Sequence, residues 1–280
     1  MSNLARVLID CPDEKGLVYR VSKIFYEQNL NIVSNQEFVD KESRQFFMRS
    51  TIVGEFDNAK LEQSLKRELP NANIKILPRR KKNIIVMATK ESHAIGDLLI
   101  RHISKDLEAN IIAVIANREN LRYLVQRFDI PFIYISADNI SRQEHEELIL
   151  KELGKYSFDY IVLAKYMRIL TPNFVEKYKG KIINIHHSFL PAFIGANPYK
   201  QAYNRGVKII GATAHFVTDD LDEGPIIYQD TIRVNHRFTW QDMQQAGKDV
   251  EKIVLSRALS LVFEDRVFVY NNKTVVFGKI

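Results

Sequence analysis

Residues 78–88 read Pro-Arg-Arg-Lys-Lys-Asn-Ile-Ile-Val-Met-Ala, and the chain changes character across them. A basic run opened by proline gives way to Asn83–Ala88, a nearly unbroken apolar segment of strand length. A strand that is apolar at successive positions, rather than at alternate ones, belongs to a sheet covered on both faces. Beyond it, Ile95, Leu98, Leu99 and Ile103 recur at helical spacing; Ile111–Ala116 reads as a strand, Leu121–Phe128 as a helix and Phe132–Ile135 as a third strand. Arg142–Tyr156 is amphipathic with its charges facing out, and Tyr160–Ala164 is a fourth strand. Strands alternating with helices predict a doubly wound, mostly parallel α/β sheet with right-handed crossovers. Ligands of such sheets bind beyond the carboxyl ends of the strands. Chemistry is therefore expected just after Ala88, Ala116, Ala164 and Ile185.

Upstream of the basic run, residues 5–77 predict a separate βαββαβ unit of the ferredoxin-like, split-βαβ kind. Ala5–Ile9 is strand-like and is closed by Cys11-Pro12-Asp13 and Gly16. Leu17, Val21, Ile24, Phe25 and Gln28 share one helical face. Ile32–Val39 and Gln45–Val53 flank a polar turn, Asp40–Arg44. Asn58 is placed to cap a helix carrying Leu61, Leu65 and Leu69; Pro70 ends it, and Asn73–Leu77 is the last strand. Two domains are expected, 1–80 and 81–280.

The totals narrow the function classes. Of 280 residues, 46% are hydrophobic and 26% charged, as in a globular protein. No apolar run is long enough to span a bilayer, and the N-terminus lacks the pattern of a signal peptide, so a cytoplasmic protein is expected. The single cysteine, Cys11, excludes a disulfide framework and any multi-cysteine metal site. The formal charge is +6, but the excess is dispersed except at Arg79–Lys82. No zinc-finger spacing, stacking-aromatic motif or arginine repeat accompanies that run, so no nucleic-acid partner is expected.

The densest chemistry lies in Lys181–Gln229. Asn184 and His186 stand two apart at a strand end and face the same side. His187 should then face the other side, which argues against the two histidines sharing one metal ion. Asp219, Asp220 and Asp222 follow the next strand, Ile210–Val217. An amide, an imidazole and a carboxylate suit acyl transfer or hydrolysis. The first two donate to an oxyanion, while the third orients water or the imidazole and, with a raised pKa, moves protons. Ser188 lies in no nucleophile elbow. The same residues also fit a solvated turn and a satisfied strand-end imidazole, and pattern alone does not separate these readings.

Asn184-Ile-His-His-Ser-Phe-Leu-Pro-Ala-Phe193, Gly211-Ala-Thr-Ala-His215 and Leu221-Asp-Glu-Gly-Pro-Ile-Ile227 together resemble the formyltransferase fold family, over nearly all of 83–280. The resemblance implies catalytic roles for Asn184, His186 and Asp222. Leu163–Leu170 is similar to the family's folate-binding segment, which makes Met167, Arg168, Ile169 and Leu170, with His187 and Ser188, the implied substrate-binding residues. Lys165 stands where arginine is common in the family's hydrolases. Two features favour the hydrolase branch, the formyltetrahydrofolate deformylases. The glycine-rich, phosphate-holding loop of the ribonucleotide transformylases is replaced by Thr89–Gly96 with an acidic Glu91, and His-His-Ser-Phe-Leu-Pro stands where transferases usually carry His-Pro-Ser-Leu-Leu-Pro.

Asp10–Val18 resembles the opening of an ACT domain, a module that often binds amino acids between paired domains. Deformylases of this kind join the two modules. The resemblance thus implies hydrolysis of 10-formyltetrahydrofolate to formate and tetrahydrofolate, feeding purine synthesis, with no metal or other cofactor. It also implies glycine or methionine as effector, and a homo-oligomer. Two alternatives remain: transfer of the formyl group to an unidentified amine, and an amino-acid sensor with an inactive second half.

Overall fold

The computed structural model describes residues 3–278 apart from 194 and 196. The chain divides into two compact units, one reaching to Arg80 and the other beginning at Lys81. The tail does not belong to the second unit alone, because Asp265–Phe268 and the segment from Val275 group with the first.

The first unit runs β1 (Asn3–Pro12), α1 (Leu17–Glu27), β2 (Asn31–Asp40), β3 (Gln45–Gly54), α2 (Asn58–Glu68) and β4 (Asn73–Pro78). Its antiparallel sheet has the order β2-β3-β1-β4. The apolar helical faces read from sequence form the core: Val21 and Phe25 of α1 and Leu61 and Leu65 of α2 pack with Val7, Ile9, Met48 and Ile52 of the sheet. Asp57, not Asn58, caps α2. Its backbone is extended and its carboxylate accepts the Lys60 N–H at 2.9 Å, which leaves Asn58 as the first helical residue. Leu69, forced out of helical geometry by the proline that follows, ends the helix. Arg6 and Arg49 hold the tail against this sheet by bonding the Asp265 carboxylate and carbonyl, each at 2.9 Å.

The second unit contains a seven-stranded sheet, β11-β10-β9-β8-β5-β6-β7. Here β5 is Lys82–Ala88, β6 Ala109–Ala116, β7 Phe132–Tyr134, β8 Tyr160–Leu163, β9 Ile182–His186, β10 Ile209–Phe216 and β11 Ile226–Arg233. Strands β5 to β9 pair in parallel, and β10 and β11 are antiparallel additions. The helices are α3 (Ser92–Ile103), α4 (Arg122–Gln126), α5 (Arg142–Leu153), α6 (Pro172–Lys177), α7 (Pro198–Arg205) and α8 (Trp240–Phe263); a short hairpin, β12 (Val267–Tyr270) and β13 (Lys273–Val276), follows. The expected helix Leu121–Phe128 is a 3-10 turn, Glu119–Leu121, running into the single turn and a half of α4. The charges of α5 do not all face out: His145 and Glu146 are buried, and the Glu146 carboxylate accepts from the backbone N–H (2.8 Å) and the hydroxyl of Thr171. From β5 the chain winds outward through β6 and β7, then returns to β8 on the opposite side. The switch point therefore lies between β5 and β8, where such sheets leave a crevice.

Candidate active site

A cavity of about 550 Å³ opens at that crevice. The segments after β5, β8, β9 and β10 line it, together with one face of α8. The segment after Ala116 does not, because β6 lies beyond β5 from the switch point. Asn184, His186, His187, Asp222, Met167, Arg168, Ile169 and Leu170 are all on the wall. Ser188 is not: it is buried, its hydroxyl without a hydrogen-bond partner among the described residues.

Antiparallel pairing places His215 of β10 directly opposite Asn184 of β9. His215 Nδ1 donates to the Phe216 carbonyl at 2.9 Å, and burial pushes its pKa down, so the ring is neutral and Nε2 carries a lone pair. Asn184 Nδ2 donates to that lone pair at 3.2 Å. This orients the amide and leaves its second N–H for a ligand. His215 stood in the quoted motif without a role; its position across the strands supplies one.

The turn after β10 folds back on the strand. Phe216 N–H donates to the Pro225 carbonyl at 3.0 Å, and a Cβ on Gly224 would stand 1.8 Å from the Phe216 carbonyl oxygen, so only glycine fits. Asp222 is thereby held over the two histidines, 3.2 Å from His186 Nδ1 and 3.7 Å from His215 Nε2, both to Oδ1. Its backbone is left-handed (φ 59°), a conformation that costs about 1–2 kcal/mol in a non-glycine residue. Burial works to raise the Asp222 pKa, but the His186 hydrogen bond and the neighbouring imidazoles prevail and hold it below the ordinary value. Proton transfer was tied to a raised pKa as a condition; the imidazoles hold it lowered, which favours the role of orienting water and the His186 ring. Oδ2 has no partner among the described residues, and His186 Nε2 is buried and likewise unpartnered.

His187 departs from the expected alternation. Because β9 ends at His186, His187 is free of the strand's period, and both rings reach the cavity with centroids 5.1 Å apart. Among the described residues no group of three or more His, Cys, Asp or Glu side chains is arranged to hold a metal ion.

The folate-like segment is pinned at its middle by Met167 N–H to Thr89 Oγ1 at 3.0 Å and just past its end by the Thr171 bonds to Glu146. Between them Met167 and Ile169 expose 56% and 49% of their surface, an apolar rim suited to a flat ring.

Sequence reading missed a second charged centre on this wall. Glu251 of α8 is 1% exposed and fully bonded: Tyr199 Oη donates to Oε1 at 2.7 Å, while His93 Nε2 (2.8 Å) and Lys165 Nζ (3.2 Å) approach Oε2. Burial acts to raise the Glu251 pKa, but His93, Lys165 and Tyr199 bring it down to about 2. Gly247, one turn earlier, makes room for Tyr199, whose hydroxyl would stand 2.1 Å from a Cβ there. At the mouth of the β5–α3 loop, Glu91 occupies the helix N-cap and pairs with Lys248 at 3.1 Å. A carboxylate at that position disfavours a second anion.

Known families match this architecture in order. An ACT domain model matches residues 5–70 and a formyl transferase model residues 82–259. A formyltetrahydrofolate deformylase of Haemophilus influenzae is 53% identical over 96% of this chain and 98% of its own. That of Bacillus subtilis is 46% identical over 98% and 93%. The chain belongs to the formyltetrahydrofolate deformylase family. The crystal structure of a family member from Pseudomonas syringae superposes with a TM-score of 0.94 at 41% identity, covering 99% of this chain and 95% of that one. Glycinamide ribonucleotide transformylase 1 of Symbiobacterium toebii, at 26% identity and TM-score 0.68, covers only 70% of this chain. Transferases thus share part of this chain, whereas members of the family share its full length.

Proposed function

We propose that this chain hydrolyses 10-formyltetrahydrofolate to formate and tetrahydrofolate, with Asn184, His186 and Asp222 as its catalytic residues. The observation that carries this reading is the pair of unsatisfied polar atoms on one cavity wall, His186 Nε2 and Asp222 Oδ2, in a chain whose full-length relatives are formyltetrahydrofolate deformylases.

The formyl oxygen sits against the free Asn184 N–H and His186 Nε2. Asp222 orients the His186 ring through Nδ1, which turns Nε2 toward that oxygen, where a proton on Nε2 donates to it. Water attacks the formyl carbon; its O–C bond forms as the carbonyl π pair moves onto oxygen, and Asp222 accepts a water proton. The intermediate collapses with cleavage of the C–N bond. The bonding pair and a proton go to the departing nitrogen, and formate and tetrahydrofolate leave. That nitrogen is an arylamine conjugated to a benzoyl group, a better leaving group than an alkylamine, so the reaction needs no cofactor. Met167, Arg168, Ile169 and Leu170 hold the pterin, with His187 beside the reacting carbon.

The ACT unit is the proposed site of an amino-acid effector, glycine or methionine, in a cytoplasmic homo-oligomer that supplies formate to purine synthesis. Incubation with 10-formyltetrahydrofolate and no amine tests the reaction: formate and tetrahydrofolate should appear in equal amounts. A requirement for an added amine would make the protein a transferase, and no turnover with or without one would leave only a sensor. Titrating glycine and methionine into the same assay tests the effector.

A further inference from the structure

Water attacking a carbonyl with one lone pair directs its two O–H bonds elsewhere, and each needs an acceptor. Asp222 Oδ2 supplies one. Of the other imidazole and carboxylate acceptors that line the wall, His215 Nε2 is taken by Asn184, and both oxygens of Glu251 by Tyr199, His93 and Lys165. Asp219 and Asp220 are exposed. His187 is the imidazole left over. It is half-buried on the cavity wall, and neither ring nitrogen has a hydrogen-bond partner among the described residues. Its ring lies 5.1 Å from that of His186 and 6.1 Å from that of Tyr199, and so links the His186–Asp222 pair to the Glu251 cluster.

We infer that His187 is a further catalytic residue, which holds the attacking water by accepting one of its O–H bonds while Asp222 takes the other proton. This rests on the hydrolysis proposed above. Burial and the adjacent Lys165 ammonium push the His187 pKa down to about 4, against the opposing pull of Glu251, so near neutral pH the ring keeps the lone pair the water needs. Lys165 and Glu251 act at one remove, as positioning residues. Lys165 adopts a left-handed backbone (φ 61°) from which its ammonium bonds the Glu251 carboxylate. The position of His187 thus makes it a determinant of water as the acceptor.

The test is a nucleophile partition. Wild type and His187→Ala are given 10-formyltetrahydrofolate with and without hydroxylamine, a nucleophile strong enough to attack without a held proton acceptor, and formate and formylhydroxamate are quantified. His187→Ala should lower kcat for formate by about tenfold to a hundredfold, change KM for the folate by no more than about twofold, and raise the hydroxamate-to-formate ratio by at least about fivefold. Equal loss of both products would make His187 a wall residue only and overturn the inference, as would unchanged formate production. If His187→Ala does not fold, His187→Phe fills the space without an acceptor and runs the same comparison. A wild type that forms no formate overturns the hydrolysis reading and this inference together. Wild-type formate with an unchanged ratio in the variant overturns this inference alone.

Discussion

Asp222 sits on the turn between β10 and β11 and Glu251 in the middle of a 24-residue helix, yet both carboxylates reach the wall of one cavity. Both are ionised with lowered pKa, and both face imidazoles. They differ in saturation. Glu251 has a hydroxyl on one oxygen and two nitrogen groups on the other, so it has nothing left to offer a substrate. Asp222 spends one oxygen on His186 and keeps the second. A buried carboxylate with every lone pair occupied is architecture; one with an idle oxygen beside an idle imidazole nitrogen is equipped for chemistry.

The sharpest way to break this contrast is to neutralise each in turn. Asp222→Asn should lose about ten-thousandfold in kcat while unfolding at nearly the wild-type midpoint. Near-normal turnover in a folded variant would remove Asp222 from the mechanism. Glu251→Ala should instead lose about 3–5 kcal/mol of stability, read from its denaturant midpoint, because Lys165 is left buried without its partner. The pH dependence sharpens that test. Glu251 falls from an ordinary value of 4.5 to about 2 on folding, so the folded protein binds fewer protons there. Its contribution is complete above pH 4.5 and is lost as pH falls toward 2, and the stability gap between wild type and Glu251→Gln should close across that window.

Next come the proposed oxyanion donors. Asn184→Ala and His186→Ala should each lose a hundredfold to a thousandfold in kcat, about 2.7–4 kcal/mol of transition-state stabilisation. The smallest effect carries an inverted sign. Gly247→Ala in a helix interior ordinarily stabilises by about 1 kcal/mol. Here the added Cβ displaces Tyr199 from Glu251, and a net loss of about 1–3 kcal/mol in thermal or urea unfolding is expected.

These two carboxylates were unequally legible. Asp222 belongs to a motif of near neighbours, Leu221–Ile227, and its partners Asn184 and His186 announce themselves by spacing along one strand. Glu251 occupies a position on the buried face of α8, between Val250 and Val254, where a lone glutamate reads as part of a polar stripe. Its partners His93, Lys165 and Tyr199 come from three other elements. Helices α6, α7 and α8 were not foreseen either; six and eight residues are too few to establish a period, and α8 mixes its buried apolar positions with Glu251 and Ser256. The direction of the His187 side chain was misread for a related reason: alternation holds within a strand, and the strand stops one residue before it.

What the amino-acid order settled by itself was local or additive: the parallel strands with their apolar runs, the βαββαβ order, and the chemical types gathered at the end of β9. Periodicity and turn chemistry act between near neighbours, so they survive in the linear text. Which polar atoms are satisfied and which are idle was decided only by tertiary structure. The register that sets His215 against Asn184, the glycine that admits Tyr199 to Glu251, and the turn that suspends Asp222 over His186 all join residues distant in the chain. Hydrogen-bond saturation depends on every partner that long-range folding brings within about 3 Å, and it is that saturation which separates the carboxylate with an idle oxygen from the fully bonded one.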